Sequence, residues 1–368
     1  MSGPYGIPTQ AAPTVARLVP AIRTEVDAWR RDGYPGASPT TRRLLEHWFA
    51  DEHETAPGVS FRYYFAQREA VETAIYLFEV ARIRSPEALG SRYGEAIPAT
   101  TDFARFVVKM ATGSGKTKVM SLLIAWAYLH ATREPGSDLP TTFLLVAPNV
   151  IVYERLREDF ADGAIFRSDP VVPPEWAGTF DFTVCLKTDP VPPGAAGVLA
   201  VTNIQSLYER HTEQPDNPVE AMLGPRPPAN IDAPEPLLPQ IARRGRVMVL
   251  NDEAHHLHDE VKSDTGEPLV AWQTIHRLHE LGGGVALQLD VSATPRNQQG
   301  QLFGEVVSDY PLARAIEDGI VKRPVIGELA GAIEAPSDDA SVRYRPRLAA
   351  AVAKWREFRD AWAPTGRT

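Results

Sequence analysis

The sequence predicts an α/β fold in which helices cover both faces of a parallel sheet. Short apolar segments without polar alternation recur along the chain, and helical stretches separate them. A strand that is buried on both faces reads as a continuous apolar run, and alternating strands and helices are typical of parallel sheets. The predicted strands are residues 106–108, 143–147, 182–186, 198–201, 247–250 and 285–289.

A mostly helical extension, residues 1–60, is predicted ahead of the sheet. Its first 40 residues are rich in proline and glycine and leave room for one helix within residues 15–31. Ser38-Pro-Thr has the composition of a helix N-terminus, and the helix it begins should run to about Phe49. A further helix is expected over residues 67–83, because its apolar residues lie near one face.

The main domain is predicted over residues 61–325, and residues 326–368 form a linker that contains one helix at 347–362. Two segments within the main domain, residues 188–195 and 215–239, are rich in proline and favour surface loops.

The composition excludes several classes of protein. There are 38 basic and 47 acidic residues, so binding of nucleic acid by bulk charge alone is disfavoured, and any such contact must depend on local residues. The single cysteine, Cys185, excludes an internal disulfide framework. Because no apolar run approaches ~18 residues and the N-terminus does not resemble a secretory signal, we expect no membrane partner and a cytoplasmic location.

A glycine-rich turn follows the first strand of the sheet, with the sequence Ala-Thr-Gly-Ser-Gly-Lys-Thr at residues 111–117. Gly113 and Gly115 permit close approach of the backbone to phosphates, which amides at a helix N-terminus bind. Lys116 would reach the β- and γ-phosphates, and the Thr117 hydroxyl would ligate Mg²⁺. The alternative is a turn that only caps a helix.

Two acidic residues end the strand at 247–250 and complete the predicted site. Asp252 would hold the metal, and Glu253 would orient and deprotonate an attacking water. Ser292 and Thr294, at the end of another strand, are placed to sense the γ-phosphate through Asp252 and His255. Taken singly, the acidic pair is also typical of a helix N-terminus. The segment from Ser292 to Thr294, taken singly, is also typical of a turn.

These motifs, in their order and spacing, resemble superfamily 2 helicases and translocases. Residues 111–117 resemble motif I, residues 252–255 the DEAH box, and residues 292–294 motif III. The resemblance covers residues 61–324 and implies one RecA-like P-loop NTPase lobe that uses ATP and Mg²⁺. The implied catalytic residues are Lys116, Asp252, Glu253 and His255, and the metal ligands are Thr117 and Asp252.

Within that superfamily, the chain is most similar to the Res subunit of type III restriction enzymes and related phage-defence helicases. Residues 63–70 resemble the adenine-recognition segment, which places Gln67 on the base, since an amide can bond the N6 and N7 edge of adenine. An ordinary exposed helix glutamine is the alternative. Residues 309–324 also resemble the segment that follows motif III in this branch. The implied nucleotide-binding residues are Gln67, Thr112, Gly113, Ser114, Gly115, Lys116 and Thr117.

The resemblance further implies nucleic-acid contacts at Pro148 and Asn149, in motif Ia, and at Thr202 and Asn203, in motif Ib. Such polar groups at strand ends can hold phosphates and sugars without reading sequence. Capping of helices by Asn149 and Asn203 is an alternative, compatible with the first. The expected partner is DNA, duplex or single-stranded, and an RNA helicase remains open.

Enzymes of this type have two RecA-like lobes, and the second supplies an arginine to the nucleotide. Only 45 residues follow Arg323, too few for another α/β lobe. We therefore expect this chain to be the N-terminal part of a larger enzyme. By itself, the chain should bind nucleotide but hydrolyse it slowly. The expected partners are a chain that supplies the second lobe and a modification subunit. The alternative is a non-catalytic module whose binding of DNA or a protein depends on nucleotide.

Overall fold

The structure, a computed structural model, describes residues 16–98, 100–187, 189–208, 237–256, 270–296, 300–323 and 339–362. The chain divides into two compact units, Met1–Val321 and Lys322–Thr368. Of the predicted proline-rich loops, residues 189–195 carry no helix or strand, residues 215–236 lie outside the described residues, and residues 237–239 begin a helix.

A seven-stranded sheet, parallel throughout, forms the centre of the first unit, in the order β5-β6-β4-β7-β8-β3-β9. The strands are β3 (Ala104–Met110), β4 (Thr142–Ala147), β5 (Phe182–Leu186), β6 (Gly197–Asn203), β7 (Val247–Asp252), β8 (Val285–Ser292) and β9 (Val306–Tyr310). An antiparallel hairpin, β1 (His53–Ala56) and β2 (Val59–Phe61), precedes it. The predicted α/β fold with a parallel sheet is confirmed; the six predicted segments lie in β3 to β8, whereas β9 was not predicted.

Alternate residues of the central strands enter two different cores. In β4, Phe143 and Leu145 join one core, and Leu144 and Val146 join the other. Because side chains alternate across a strand, both faces of the sheet are buried. This burial explains why the strands lack polar alternation.

Helices pack into each of these cores. The core that contains Phe143 receives α1 to α7, and the core that contains Leu144 receives α8 to α10. The helices of the first core are α1 (Val19–Arg31), α2 (Pro39–Phe49), α3 (Phe65–Ile75), α4 (Pro86–Tyr93), α5 (Lys116–Arg133), α6 (Val150–Phe160) and α7 (Ala164–Ser168). Those of the second are α8 (Ile204–Tyr208), α9 (Leu237–Ala242) and α10 (Val270–Leu281). The prediction of helices on both faces is therefore confirmed.

The helices of the N-terminal extension share the core of the sheet. The hydroxyl of Ser38 caps α2, as predicted, by accepting from the amide of Thr41 at 3.1 Å. Trp48 is fully buried, and its Nε1 donates to the carbonyl of Val171 at 2.7 Å. Leu44 and Leu45 lie in the same core as α5.

The predicted helix at 67–83 changes type along its length. α3 ends at Ile75 and continues as a π-helix, Tyr76–Val80. The buried carboxylate of Glu79, within the π-helix, accepts from the amide of Ser38 and the hydroxyl of Thr41, both at 2.6 Å. These hydrogen bonds fix α2 against the helix.

The described chain also contains three 3-10 helices, Ala161–Gly163, Pro174–Thr179 and Ala254–His256, and three further α-helices. α11 (Leu312–Glu317) follows β9 in the first unit, and the second unit contains α12 (Ala340–Arg343) and α13 (Arg345–Trp362), which corresponds to the helix predicted at 347–362. In the part of the chain that the structure describes, no helix has the length and apolar character to cross a membrane.

All carboxyl ends of the parallel strands meet at one edge of the sheet. The turn after β3 and the ends of β7 and β8 are neighbours there, since β8 pairs with both β3 and β7. Ligands of open α/β sheets bind in the crevice outside this edge.

Candidate functional site

The turn between β3 and α5 has the backbone of an anion site. Gly113 and Gly115 have φ angles of +83° and +91°, a left-handed conformation that residues with a side chain rarely adopt. The buried hydroxyl of Ser114 closes the turn by donating to the carbonyl of Ala111 at 2.7 Å. No side chain caps the N-terminus of α5, so its first amides are available to an anion, and the exposed Thr112 and half-buried Thr117 flank the turn.

The predicted lysine and both predicted acids meet at this turn. Lys116 is only 6% exposed, and its Nζ contacts Oε1 of Glu253 and lies 3.9 Å from Oδ1 of Asp252. Asp252 is the last residue of β7 and fully buried. The structure thus brings together residues that lie far apart in the sequence. Their catalytic roles stay predictions.

A residue that the sequence did not indicate, Arg155 of α6, also reaches Asp252. Its guanidinium lies 2.5 Å from Oδ2 of Asp252, while the amide of Glu253 donates to Oδ1 at 3.0 Å. Burial raises the pKa of Asp252 above its usual value, and the charges of Lys116 and Arg155 oppose that rise. The pair is 97 residues apart and depends on the adjacency of β4 and β7, so no local pattern could have revealed it.

Glu253 has a strained backbone. Its φ is +49°, in the left-handed region that few residues other than glycine occupy. Such strain costs on the order of 1 kcal/mol and clusters at functional sites. The turn directs the Glu253 carboxylate toward Lys116, a consequence of backbone geometry that residue types do not show.

His255 and Ser292 connect the ends of β7 and β8. Nδ1 of His255 lies 3.0 Å from the hydroxyl oxygen of Ser292 and 3.6 Å from Oε2 of Glu253. The Ser292 oxygen also accepts from the amide of Thr294 at 3.1 Å, and the Thr294 side chain is exposed. Ser292 and Thr294, the residues predicted to sense the γ-phosphate, therefore form one chain of contacts with the DEAH segment.

Gln67 packs against the glycine-rich turn with both ends of its amide engaged. Oε1 accepts from the amide of Tyr64 at 2.9 Å, and Nε2 donates to the carbonyl of Ser114 at 3.1 Å. At 4% exposure it is not the exposed helix glutamine considered as an alternative. A contact with adenine stays a prediction, and the second N–H of Nε2 and the second lone pair of Oε1 could make it.

The predicted nucleic-acid residues lie at the ends of two adjacent strands. Asn149 caps α6 by accepting from the amide of Val152 at 3.0 Å, so the capping alternative holds for this residue. Asn203 likewise accepts from the amide of Ser206 at 2.9 Å.

Pro148 is buried, and Thr202 and Asn203 are each 1% exposed, so their side chains are not at the surface here. The Nδ2 of Asn203 is buried without a hydrogen-bond partner among the described residues. Contact with nucleic acid stays a prediction for all four.

The oxygen donors at this edge suit Mg²⁺. This ion is usually bound by one or two carboxylates together with phosphate oxygens, which matches the Asp252 carboxylate and the Thr117 hydroxyl. A positive charge already contacts the Asp252 carboxylate, because the guanidinium of Arg155 forms an ion pair with it. No larger cluster of metal-binding His, Cys, Asp and Glu side chains is found in the described ranges.

Comparison with known families identifies the chain at the family level. Residues 60–297 match the family described as type III restriction enzyme, res subunit, and this match includes the glycine-rich turn, both acids and the Ser292 segment. In a comparison with curated proteins, no significant match was found. Because the family match spans more than half of the sequence, the chain belongs to the type III restriction enzyme res subunit family.

Proposed function

We propose that this chain is the ATP-binding motor lobe of a DNA-dependent ATPase, of the helicase or translocase type, within a restriction system. Family membership makes it a helicase-like ATPase motor domain. The single observation that supports the proposal most strongly is the convergence of Lys116, Asp252 and Glu253 on the uncapped N-terminus of α5.

The glycine-rich turn binds the phosphates of ATP in this proposal. The amides at the uncapped N-terminus of α5 bind the β- and γ-phosphates. Lys116 exchanges its contact with Glu253 for the phosphate oxygens, which leaves the Glu253 carboxylate free. Gln67, held against Ser114, lies beside the turn where it would also contact the base.

Glu253 is the general base for the attack of water on the γ-phosphorus. The new bond joins the water oxygen to that phosphorus, the water proton goes to Glu253, and the bond to the β–γ bridging oxygen breaks to leave ADP and phosphate. Bound Mg²⁺, held by Asp252 and Thr117, supplies neutralisation of the developing phosphate charge. The chain from Glu253 through His255 to Ser292 transmits the state of the site to the end of β8.

Full turnover requires an arginine from a second lobe, in the same or another polypeptide. The described residues form one parallel sheet and therefore one lobe. An arginine supplied in this way raises turnover by about 10³–10⁵. We propose that a chain with the second lobe and a modification subunit are its partners.

DNA is the proposed nucleic acid, held through its backbone near Asn149 and Asn203. Both residues lie at the ends of paired strands, since Ala147 and Asn203 are partners in the register of β4 and β6. A chain with a net charge of −9 needs such local contacts because its overall charge does not attract phosphate.

Steady-state ATP hydrolysis and nucleotide binding test this proposal, each with and without duplex DNA. We expect binding with turnover below about 1 s⁻¹, and loss of binding by about 100-fold or more in Lys116→Ala. Lys118→Ala is the matched control, because Lys118 lies on the same helix and pairs with Asp169 instead. Glu253→Gln should retain binding and lower turnover by about 10²–10⁴.

Three outcomes would contradict parts of the proposal. Equal loss of binding in both lysine variants would argue against a phosphate role for Lys116. Binding without any turnover, unchanged by DNA, would favour a non-catalytic module. Stimulation by RNA in place of DNA would identify an RNA-dependent motor.

A further inference from the structure

Two ion pairs neutralise the two carboxylates of the site in this structure. Lys116 contacts Glu253, and Arg155 contacts Asp252. In the proposed function, the Lys116 ammonium leaves Glu253 and binds the phosphates, so the contact that replaces this ion pair is known. Arg155 has no place among the predicted ligands of the nucleotide, so its contact needs a separate explanation.

The Arg155 contact engages the carboxylate that the metal requires. Oδ2 of Asp252 is bound to Arg155 at 2.5 Å, and Oδ1 accepts the Glu253 amide at 3.0 Å. Each oxygen thus has one contact and a second lone pair, but Asp252 is fully buried. A divalent cation can reach this carboxylate only if a side chain that covers it moves away.

Of these two contacts of Asp252, the one with Arg155 can break more easily. The amide of Glu253 is fixed by the backbone, whereas the Arg155 side chain is long, flexible and 49% exposed. When it leaves Asp252, its charge is hydrated at little cost, because half of the side chain is already in water.

We propose that Arg155 is a latch, a positioning residue that stands in for the metal charge at Asp252 in the nucleotide-free site and must release it before Mg²⁺-nucleotide binds. This inference rests on the proposed function. The latch keeps the buried carboxylate neutralised when no metal is present. It also opposes loading of Mg²⁺-nucleotide by the free energy of the Arg155–Asp252 contact.

The latch predicts opposite effects on nucleotide binding with and without Mg²⁺. In Arg155→Gln, Mg²⁺-nucleotide has no competitor for Asp252 and binds more tightly. Metal-free nucleotide binds more weakly in the same variant, because its phosphates then meet an uncompensated carboxylate. We expect the ratio of the two dissociation constants, measured in EDTA and in Mg²⁺, to rise about 3- to 30-fold.

The experiment titrates a fluorescent ATP analogue into the full chain in Mg²⁺ or in EDTA. Arg157→Gln is the matched control, since Arg157 lies on the same helix, is also 49% exposed, and pairs with Glu154 rather than with the site. Its ratio should equal that of the wild type. Arg155→Lys, which keeps the charge on a shorter donor, should give an intermediate ratio and guards against misfolding of the first variant.

A ratio in Arg155→Gln that equals the wild-type value, or falls below it, overturns the latch. A fall would mean that Arg155 assists Mg²⁺-nucleotide instead of opposing it. If the wild type binds nucleotide through Lys116 and only the ratio fails to change, the latch alone is wrong. If the wild type binds no nucleotide in either condition, the proposed function and the latch are both overturned.

Discussion

Three residues of the candidate site have a left-handed backbone, and two of them are glycines whereas the third is the acid Glu253. The turn uses Gly113 and Gly115 for its left-handed positions, where no side chain is needed. Glu253 has φ +49° and carries a side chain there, whose carboxylate contacts Lys116. The strained backbone thus occurs at the residue whose side chain is the proposed general base, and glycine relieves it at the other two positions.

Substitution of Gly115 by alanine tests this division. A Cβ at Gly115 would lie 2.0 Å from Nε2 of Gln67, and its φ of +91° disfavours any side chain. We expect Gly115→Ala to weaken nucleotide binding about tenfold or more and to lower the free energy of unfolding by about 1–2 kcal/mol. Nucleotide titration and urea unfolding measure the two effects.

Gly136→Ala controls for backbone strain alone. Gly136 has a φ of +74° with no atom within 4 Å of the added Cβ, so stability should fall by about 1 kcal/mol while nucleotide binding is unchanged. Wild-type binding by Gly115→Ala would show that the close packing of Gln67 on the turn is dispensable.

At the scale of elements, a buried polar cluster joins the three strands that carry the site. The carboxylate of Asp290 in β8 is fully buried and accepts from Arg105 of β3 at 2.9 Å, from Asn251 of β7 at 2.6 Å, and from Gln288 at 2.9 Å. Asn251 directly precedes Asp252, and Asp290 lies two residues before Ser292. The cluster thus fixes the strand ends from which the site is built.

This cluster explains why the predicted strand at 285–289 was too short. The apolar run ends at Leu289, and a charged residue in a central strand is unfavourable unless it is paired. The structure continues β8 to Ser292 because Arg105 of the neighbouring strand neutralises Asp290. A pairing between residues 185 positions apart cannot be inferred from periodicity in one sequence.

Arg105→Met should therefore destabilise the sheet strongly. It leaves the Asp290 carboxylate buried without its cation, for which we expect a loss of about 3–5 kcal/mol in the free energy of unfolding. Lys109→Met is the control on the same strand, since Lys109 pairs with the less buried Asp309 at 2.9 Å, and its loss should be about 1 kcal/mol or less. Urea denaturation compares the two, and equal losses would refute a special role for the cluster.

For the molecule as a whole, the sequence predicted the architecture better than the contacts between distant segments. Six of the seven strands and the meeting of Lys116 with Asp252 follow from local patterns and from the common edge of a parallel sheet. The short strand β9, Val306–Tyr310, contains polar residues and gave no such pattern. The contact of Arg155 with Asp252 depends on strand order, which one sequence does not encode locally.

The N-terminal helices also differ from their prediction. The sequence predicted them as an extension, whereas they pack as an integral part of the domain that contains the sheet. Leu44, Leu45 and Trp48 of α2 are buried in the core that also contains α5. Glu79 and the Trp48 indole bind this helix to other elements by buried hydrogen bonds. We therefore expect residues 1–60 to be inseparable from the lobe.

Removal of residues 1–60 measures this dependence directly. The shortened chain exposes the face of α5 that α2 covers, and we expect no cooperative unfolding transition and no nucleotide binding. In the full-length chain, Trp48→Ala should lower the free energy of unfolding by about 3–5 kcal/mol while leaving the nucleotide site intact, since Trp48 is fully buried but does not contact that site. If residues 61–368 alone unfold cooperatively and bind nucleotide with wild-type affinity, the extension is an independent domain, and the shared core contributes little to the stability of the sheet.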